Sequence, residues 1–212
     1  MQMIELLTGM GLSAAAGLNA YVPFLLVALI ARFTDIVTLP SGLAWIESSW
    51  AIGIGAVLLL TEVVLDKIAV VDTINDTVQT LIRPSMGGLM VAATSAAQQA
   101  DQSSWMGDHP WLGVAVGVVV SGLVHAGKAT ARPAVDAGTL GLGTPVVSTA
   151  EDTASVGLSL AALFAPVLVI VGLVVLAVAL IRLVVLMRRW RRRRRRSAAG
   201  PESLSHPPPL RE

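Results

Sequence analysis

Residues 61–84 read TEVVLDKIAVVDTINDTVQTLIRP, and this stretch ends a long apolar segment with a group of charges. Glu62, Asp66 and Lys67 lie where that segment would leave a lipid bilayer. A charged side chain at the bilayer centre costs on the order of 3 kcal/mol, so such residues need partners or a function. Glu62 and Asp66 share one helix face, where two carboxylates repel unless a proton or a cation lies between them. The stretch therefore predicts a polar site at the end of a membrane helix.

The second half of this stretch, residues 72–83, has two chemically different faces. Apolar and polar residues both recur at intervals of three and four: Val71, Ile74, Val78, Leu81 and Ile82 on one face, and Asp72, Asp76, Gln79 and Arg83 on another. This pattern predicts an amphipathic helix along the membrane interface, capped by Asp72 and ended before Pro84. Such a helix either positions the polar site or only fills space.

The composition of the whole chain is that of a membrane protein. Of its 212 residues, 54% are hydrophobic and only 14% are charged, and the mean hydropathy is +0.73. Soluble domains carry about 25% charged residues. The absence of cysteine excludes disulfides, thiolate catalysis and Cys-ligated metals. The N-terminus has Glu5 and no basic region before its apolar run, which predicts a retained membrane segment and not a cleaved signal peptide.

Apolar segments on both sides of the stretch predict an all-α, polytopic membrane domain over residues 1–187, with four to six membrane segments. The four principal spans are residues 4–33, 50–66, 111–130 and 156–187. The first is interrupted by Gly9, Gly11, Gly17, Asn19 and Pro23. These residues predict either a broken helix of the kind that lines transporter sites or a proline-kinked helix with a small-residue packing face. Residues 85–99 are short for a span and predict a re-entrant hairpin or a packed short helix.

The third span carries a small-residue stripe that continues into a cationic face. A glycine or serine recurs every four residues over 113–121, which lets another backbone approach closely. His125, Lys128 and Arg132 extend the same face. This arrangement predicts a binding role, whereas the alternative is that Lys128 and Arg132 only reach toward lipid headgroups.

Residues 133–155 form a connection rich in Gly, Thr and Pro. Near its end, Ser148 or Thr149 followed by Glu151 and Asp152 predicts the capped start of the last helix.

The last apolar run, residues 156–187, is longer than a hydrocarbon core of about 30 Å requires, so it must tilt, kink or project. Its sequence GLSLAA at 157–162 repeats GLSAAA at 11–16, and each precedes a proline. This match indicates an internal repeat.

The C-terminal segment, residues 188–212, has a net charge of +7, whereas the rest of the chain has a net charge of −6. Its arginines predict a cytoplasmic C-terminus that contacts anionic lipid, with Arg188, Arg189, Arg191 and Arg192 nearest the membrane. Nucleic-acid binding is not expected. The remaining Ser/Pro-rich residues predict a disordered tail.

The number of crossings decides which charges share a side. Four crossings place the acidic 34–49 loop outside and Lys67 inside, but leave Lys128 and Arg132 on the opposite face from Lys67. Six crossings, with 85–99 and part of 133–155 also crossing, bring both groups to one side. The sequence leaves both arrangements open.

Four motifs together resemble a known family: LSAAAGLNAYVPFLLVALIARF, EVVLDKIAVVDTINDTVQTLIRP, HAGKATARP and STAEDTAS. They resemble the bacterial membrane-protein family catalogued as domain of unknown function 4126, over roughly residues 10–180. That family brings no established activity, so the resemblance implies a bacterial membrane protein and no mechanism. The family tends to have proline where this chain has Ala69. The arginine tail lies outside the resemblance.

The leading functional hypothesis is a transporter or lipid carrier for an anionic or phosphate-bearing substrate in the bacterial inner membrane. Its substrate-binding residues would be Asn19, Glu62, Asp66, Lys67, Arg83, His125, Lys128, Arg132, Glu151 and Asp152. The alternative is a non-transporting scaffold or accessory subunit, whose charges pair only to fix helix packing. An enzyme, a metal site and a cofactor are not expected, since no HExxH motif or nucleophile elbow is present. The lipid bilayer is the expected partner, and a homo-oligomer stays open.

Overall fold

A computed structural model describes residues 2–95 and 110–198, and every regular element in these two ranges is helical. Seven α-helices and one 3-10 helix follow in order: α1 Gln2–Leu18, α2 Tyr21–Phe33, the 3-10 helix Ser41–Glu47, α3 Ser49–Leu65, α4 Ala69–Ser95, α5 Pro110–Thr139, α6 Thr144–Phe164 and α7 Val167–Ala198. The all-α prediction is confirmed for these residues.

One helix among the described residues is long and apolar enough to cross a membrane, namely Trp111–Thr139 in α5. A second crossing is obtained if the 3-10 helix and α3, which meet at 58°, form one bent span. Shorter apolar helices occur at Leu6–Leu18, Tyr21–Phe33 and Val167–Ala179. These helices indicate membrane association, but length and composition do not establish the predicted four to six crossings.

The first apolar segment breaks at Asn19, which is the first of the two alternatives that its sequence leaves open. The side-chain carbonyl of Asn19 accepts hydrogen bonds from the backbone N–H groups of Tyr21 and Val22, at 3.1 and 3.2 Å. These bonds satisfy amides that have no partner within the first turn of α2. Pro23 lies in the same turn, where its missing N–H costs little. Asn19, and not Pro23, therefore ends one helix and starts the next.

The two helices of this segment form a hairpin and not a single kinked span. Leu12 of α1 packs in the same core cluster as Val27 and Ala28 of α2, so α2 returns alongside α1. Gly55 of α3 lies against Phe24, where an added Cβ would come within 2.9 Å of the ring. The hairpin therefore places its tip, Asn19, where α3 ends.

α4 is one continuous helix that passes through Pro84. The predicted N-cap at Asp72 and the predicted end before Pro84 are both wrong, since α4 begins at Ala69 and ends at Ser95. Neighbouring helices bind the backbone around the proline: Ser121 donates to the Arg83 carbonyl at 2.7 Å. This bond anchors α4 at the residue before Pro84, whereas the carbonyl that the proline leaves without its helical donor is that of Thr80.

The second half of α4 contains residues 85–95, so these residues form neither a separate short helix nor a re-entrant hairpin. Residues 96–99 of that prediction lie outside the described ranges. This half of α4 packs closely against the small-residue stripe of α5. An added Cβ on Gly87 would lie 2.3 Å from the Ser121 Cβ and 2.6 Å from the Gly117 carbonyl oxygen.

The predicted connection at 133–155 is almost entirely helical. α5 continues through Pro133 to Thr139, and α6 begins at Thr144, which leaves only residues 140–143 as a turn. The predicted cap at Ser148 or Thr149 is therefore wrong, since both residues lie within α6. Backbone geometry closes the turn instead, with Leu140 at φ 55° and Gly141 at φ 82°.

The last apolar run is two helices, because the chain breaks before Pro166. α6 ends at Phe164 and α7 begins at Val167, so the run over 156–187 that was predicted to tilt, kink or project is divided between two helices. α7 turns back beside α6: an added Cβ on Gly172 would lie 2.9 Å from Leu158. The tip of this hairpin points in the opposite direction from the tip at Asn19.

The two repeated GLS motifs lie on α1 and α6, which pack antiparallel. An added Cβ on Gly11 would lie 2.8 Å from Ala162, and Ser155 donates to the Ala15 carbonyl at 2.9 Å. Each motif thus belongs to the first helix of a hairpin, and the two hairpins have opposite orientations. Inverted repeats of broken helices are a feature of several transporter folds.

The first half of α4 is amphipathic, but its polar face points inward. Arg83 is 0% exposed and Gln79 is 3% exposed, whereas Ile74 is 65% and Leu81 is 78% exposed. The prediction that this helix lies along the interface is wrong in this respect, because its polar face binds α3 and α5 rather than water. Large apolar side chains are also exposed on α3 and α7.

Candidate functional site

The ten predicted site residues lie close together in two adjoining networks of contacts, which together we call the charge cluster. Its members are Asn19, Glu62, Asp66, Lys67, Arg83, His125, Lys128, Arg132, Glu151 and Asp152. Asn19, Lys67 and Asp152 form the smaller network, which adjoins the larger one through the chain neighbours Asp66–Lys67 and Glu151–Asp152. The cluster lies where α1 and α3 end and α2 begins, and α4, α5 and α6 supply the remaining side chains.

The deepest contact of the charge cluster joins Arg83 to Glu62. Arg83 donates to Glu62 at 2.5 Å, and both side chains are buried. The same guanidinium donates to the carbonyl of Gly17 at 3.2 Å, and Lys128 donates to that of Leu18 at 3.1 Å. The last carbonyls of a helix lack intrahelical partners and carry partial negative charge. Two buried cations therefore supply hydrogen-bond donors to the carbonyl groups at the C-terminal end of α1.

Asp66 lies at the centre of the charge cluster. One of its carboxylate oxygens is 3.1 Å from Lys128, 3.3 Å from Arg132 and 3.5 Å from Arg83. The other oxygen accepts from the side-chain amide of Asn75 at 2.8 Å. Burial acts to raise the pKa of Asp66, but the three cations outweigh it and hold the pKa below its usual range.

The outer part of the charge cluster is formed by Glu151 and Asp152 of α6. Glu151 contacts Lys128 at 3.1 Å and Arg132 at 2.5 Å. Asp152 accepts from Asn19 at 2.9 Å and lies 3.7 Å from Lys67.

Exposure rises outward through the charge cluster. The side chains of Asp66 and Lys128 are 1% exposed, that of Glu151 is 15% exposed, and that of Lys67 is 36% exposed. The cluster therefore reaches the surface between the α3–α4 turn and the start of α6.

His125 is held as a neutral imidazole by its two neighbours. Arg83 lies 3.4 Å from Nδ1, and arginine can only donate, so Nδ1 must accept. Thr80 lies 3.1 Å from Nε2 and donates its own hydroxyl proton to the Asp76 carbonyl at 2.8 Å. Nε2 must therefore carry the ring proton and donate to Thr80.

Asp76 and Gln79 of α4 also face the charge cluster, and the sequence prediction did not include them among the site residues. Both are buried, and the Asp76 Oδ1 and Gln79 Oε1 atoms have no hydrogen-bond partner in the described part of the protein. The sequence signal for these two residues was their helical spacing with Arg83, which places all three on one polar face. Periodicity alone does not tell whether such a face points to water or into a helix bundle.

Asp76 differs from Asp66 in its protonation. Burial raises its pKa to about 6, although the positive charges of Lys128 and Arg83 partly oppose the rise. Asp76 lies in the first half of α4, outside the candidate spans of the described chain. It is therefore a carboxyl group that gains or loses a proton close to physiological pH.

The arginine segment lies on a different element from the charge cluster. α7 continues as a helix through the first arginines to Ala198, and Arg189 is exposed on it. The side chains of Arg188, Arg191 and Arg192 lie outside the described side chains. Residues 199–212, the predicted disordered tail, lie outside the described ranges.

The chemistry available to the charge cluster is that of ion pairing and proton binding. Four carboxylates face four cations, namely Glu62, Asp66, Glu151 and Asp152 against Lys67, Arg83, Lys128 and Arg132. Across residues 2–95 and 110–198, no three His, Asp or Glu residues are arranged to hold a metal ion.

Comparison with known proteins gives one match. No curated protein and no solved structure matches the chain. The sequence pattern of a family described as Domain of unknown function (DUF4126) matches residues 6–186, which include all seven helices at least in part and every residue of the charge cluster. The resemblance carried by the four motifs is thereby confirmed, and the chain belongs to the DUF4126 family.

Proposed function

We propose that this protein is an integral membrane carrier for a small anionic substrate, with Lys128 and Arg132 binding the anion in place of Glu151. One observation carries the proposal. Two buried cations share a carboxylate that is itself partly exposed, at 3.1 and 2.5 Å. A carboxylate or phosphate group of a substrate could make the same charge-assisted hydrogen bonds as Glu151 makes now.

The distribution of charged and apolar side chains supports a location of the protein in the membrane. Charged side chains are inside the bundle, whereas large apolar side chains such as Leu60, Leu81 and Val175 are exposed. Burying several ion pairs is costly and seldom adds stability, so such charges point to a function. A bilayer would also cover the exposed apolar residues that water would disfavour.

The exposed tryptophans support a membrane boundary at the end opposite to the charge cluster. Trp45 and Trp50 stack with ring centroids 5.9 Å apart at the start of α3, and Trp111 is exposed at the start of α5. At a rise of 1.5 Å per residue, Trp50 and Asp66 are about 24 Å apart along the axis of α3. That length is close to the thickness of a hydrocarbon core, and tryptophan is enriched at membrane interfaces.

The direction of α7 supports a cytoplasmic position for the charge cluster. α7 starts beside Gly11 and reaches Leu176, which packs with Leu18 and Val124 close to the cluster. Its arginines therefore lie toward the same side as the cluster, and arginine-rich segments stay in the cytoplasm. The contact between Asp66 and Lys128 argues against the four-crossing arrangement, since four crossings would separate these residues. We accordingly infer a bacterial inner-membrane location with the C-terminus in the cytoplasm.

A second candidate function is a non-transporting scaffold, and one specific observation favours it. Arg83, Lys128 and Arg132 each contact two carboxylates, so the network is complete without a ligand. In a scaffold these ion pairs would only fix the packing of α3, α4, α5 and α6. A measurement of anion binding distinguishes the two functions, because only the carrier requires an anion-binding site.

Flux across liposomes tests the carrier. The full-length protein, reconstituted into liposomes, is expected to exchange radiolabelled phosphate or sulfate across the membrane. Lys128→Ala and Arg132→Ala should reduce this exchange at least about tenfold, since each removes a charge-assisted contact to the anion. Arg32→Ala, which removes an exposed cation outside the cluster, is the matched control.

The amount of reconstituted protein decides between the two candidates. Loss of exchange at an unchanged protein level supports the carrier. Unchanged exchange in both cluster variants would contradict it, and so would the absence of exchange in the wild type. A loss of protein level with no anion exchange in any form would favour the scaffold.

A further inference from the structure

We propose that Asp76 is the proton-binding residue of the charge cluster and that a proton on Asp76 accompanies the anion bound at Lys128 and Arg132. This inference rests on the proposed carrier function for its second half. Its first half, proton binding at Asp76, stands on the surroundings of that side chain alone.

The first observation is that Asp76 is buried and makes no ion pair with the side chains that the structure describes. It is 7% exposed, and its Oδ1 atom is inaccessible and accepts no hydrogen bond. In the described ranges, the other acids of the region all pair with a cation: Glu62, Asp66, Glu151 and Asp152. A buried carboxylate without a partner is costly, and binding a proton removes that cost.

The second observation is the set of groups that face Asp76 from each neighbouring element. Arg83 lies on the same helix, Asp66 follows α3, Lys128 and His125 belong to α5, and Glu151 belongs to α6. The cations in this set already contact other carboxylates. Among the described side chains, Asp76 therefore adds one negative charge to a group in which four cations already contact four carboxylates.

The third observation excludes His125 as the proton acceptor. Its Nδ1 faces a guanidinium N–H of Arg83 at 3.4 Å, so a proton there would place two donors against each other. Its Nε2 already donates to Thr80, and Thr80 donates to the backbone carbonyl of Asp76. This chain of hydrogen bonds fixes the backbone position of Asp76 and leaves its carboxyl group as the site that can change charge.

Proton and anion binding are coupled through charge. A divalent anion that replaces the Glu151 carboxylate at Lys128 and Arg132 adds one negative charge close to Asp76, which favours the protonated carboxyl. Thermodynamic linkage is reciprocal, so a proton on Asp76 must favour the anion by the same factor. One proton moves from water to the Asp76 carboxylate, no covalent bond of the substrate changes, and the pair is released together.

Sulfate is a suitable probe, since its charge does not change between pH 5 and pH 8 and any pH dependence belongs to the protein. We expect the sulfate affinity of the full-length protein, measured by titration calorimetry, to fall by up to tenfold for each pH unit above about pH 6. Sulfate should also take up protons from a weakly buffered solution. Asp76→Asn should bind sulfate without pH dependence and without proton uptake.

Two further variants serve as controls. Asp35→Asn removes an exposed acid outside the cluster and should behave as the wild type. Glu151→Gln should retain proton uptake, which shows that the proton does not go to the displaced Glu151. Persistent pH dependence in Asp76→Asn, or loss of proton uptake in Glu151→Gln with Asp76 intact, would overturn the proposal.

Infrared spectroscopy separates this inference from the proposed function. Without any anion, a protonated carboxyl signal should appear as the pH falls through about 6, and Asp76→Asn should remove it. If sulfate does not bind at any pH, the carrier function and the coupling both fail. Proton binding at Asp76 is then still decided by the infrared signal, whose absence would overturn it.

Discussion

At the scale of single residues, the buried charges are costly to separate and contribute little when paired. Arg83 is the largest fully buried side chain, and it contacts Glu62, Asp66 and the Gly17 carbonyl. Removing one partner of a buried ion pair leaves the other charge uncompensated. The cluster therefore depends on each of its members even where the network as a whole adds no net stability.

Arg83→Ala is expected to lower the free energy of unfolding by about 3 to 5 kcal/mol, because Glu62 is left buried and charged. The double variant Arg83→Ala with Glu62→Gln should recover part of this loss. Lys67→Ala, at a partly exposed ion pair with Asp152, should cost less than about 1 kcal/mol. Thermal unfolding in detergent measures all three, and equal losses for Arg83→Ala and Lys67→Ala would contradict the account.

Asp76→Asn is expected to stabilise the protein at high pH. The raised pKa of Asp76 means that the folded state binds the proton more tightly than the unfolded chain does. Wild-type stability therefore falls as the pH rises from about 4 to about 6, and it stays lower above that range. The substitution should raise the free energy of unfolding by about 2 kcal/mol at pH 8 and by much less at pH 4. A gain that does not change with pH would contradict this assignment.

The sequence was informative about the charged residues because charge is rare in apolar segments. All ten predicted residues meet in one cluster, and the high cost of charge in lipid is the reason that they could be selected. Asp76 could not be selected in the same way. Its spacing with Gln79 and Arg83 indicates a shared face, but the direction of that face depends on the neighbours of α4.

At the scale of elements, α4 and α5 pack at a distance that only small residues permit. Gly87 lies against Gly117 and Ser121, and Ser13 of α1 donates to the Gly87 carbonyl at 2.7 Å. This close packing holds Arg83, one turn earlier, against the end of α1.

Gly87→Ala is expected to destabilise the protein by about 2 kcal/mol, because the added methyl group meets the backbone of α5 and has no space to relax. Gly53→Ala is the matched control, since nothing lies within 4 Å of that position on α3. There the substitution should be neutral or stabilising by up to about 1 kcal/mol. The two thermal unfolding midpoints test this directly, and a neutral Gly87→Ala would show that α4 and α5 can separate without cost.

Helix ends were the part of the fold that the sequence predicted least well. Pro84 and Pro133 lie inside α4 and α5, whereas Pro166 lies at a break between α6 and α7. The same residue type has different outcomes because packing against neighbouring helices, such as the bond from Ser121 to the Arg83 carbonyl, anchors α4 next to its proline. Those contacts come from distant parts of the chain, and local sequence does not reveal them.

At the scale of the whole molecule, Trp45, Trp50 and Trp111 lie at the end opposite to the charge cluster. The absence of native cysteine allows single cysteines to report on each end. Gly42→Cys, exposed in the 3-10 helix near Trp45, should react with a membrane-impermeant maleimide added outside intact cells. Ile68→Cys, exposed in the α3–α4 turn, should react only after the membrane is opened. Labelling of both from the outside would contradict the proposed orientation.

The central claim is that Lys128 and Arg132 hold Glu151 in the place of an anionic substrate. The most direct test is the affinity of the purified full-length protein for sulfate, measured by titration calorimetry at pH 6 for the wild type and for Glu151→Gln. Removing the competing carboxylate should strengthen sulfate binding by about tenfold or more, since both cations then lose a shared partner at 3.1 and 2.5 Å. If Glu151→Gln binds sulfate no better than the wild type, or if neither binds it, the claim is contradicted.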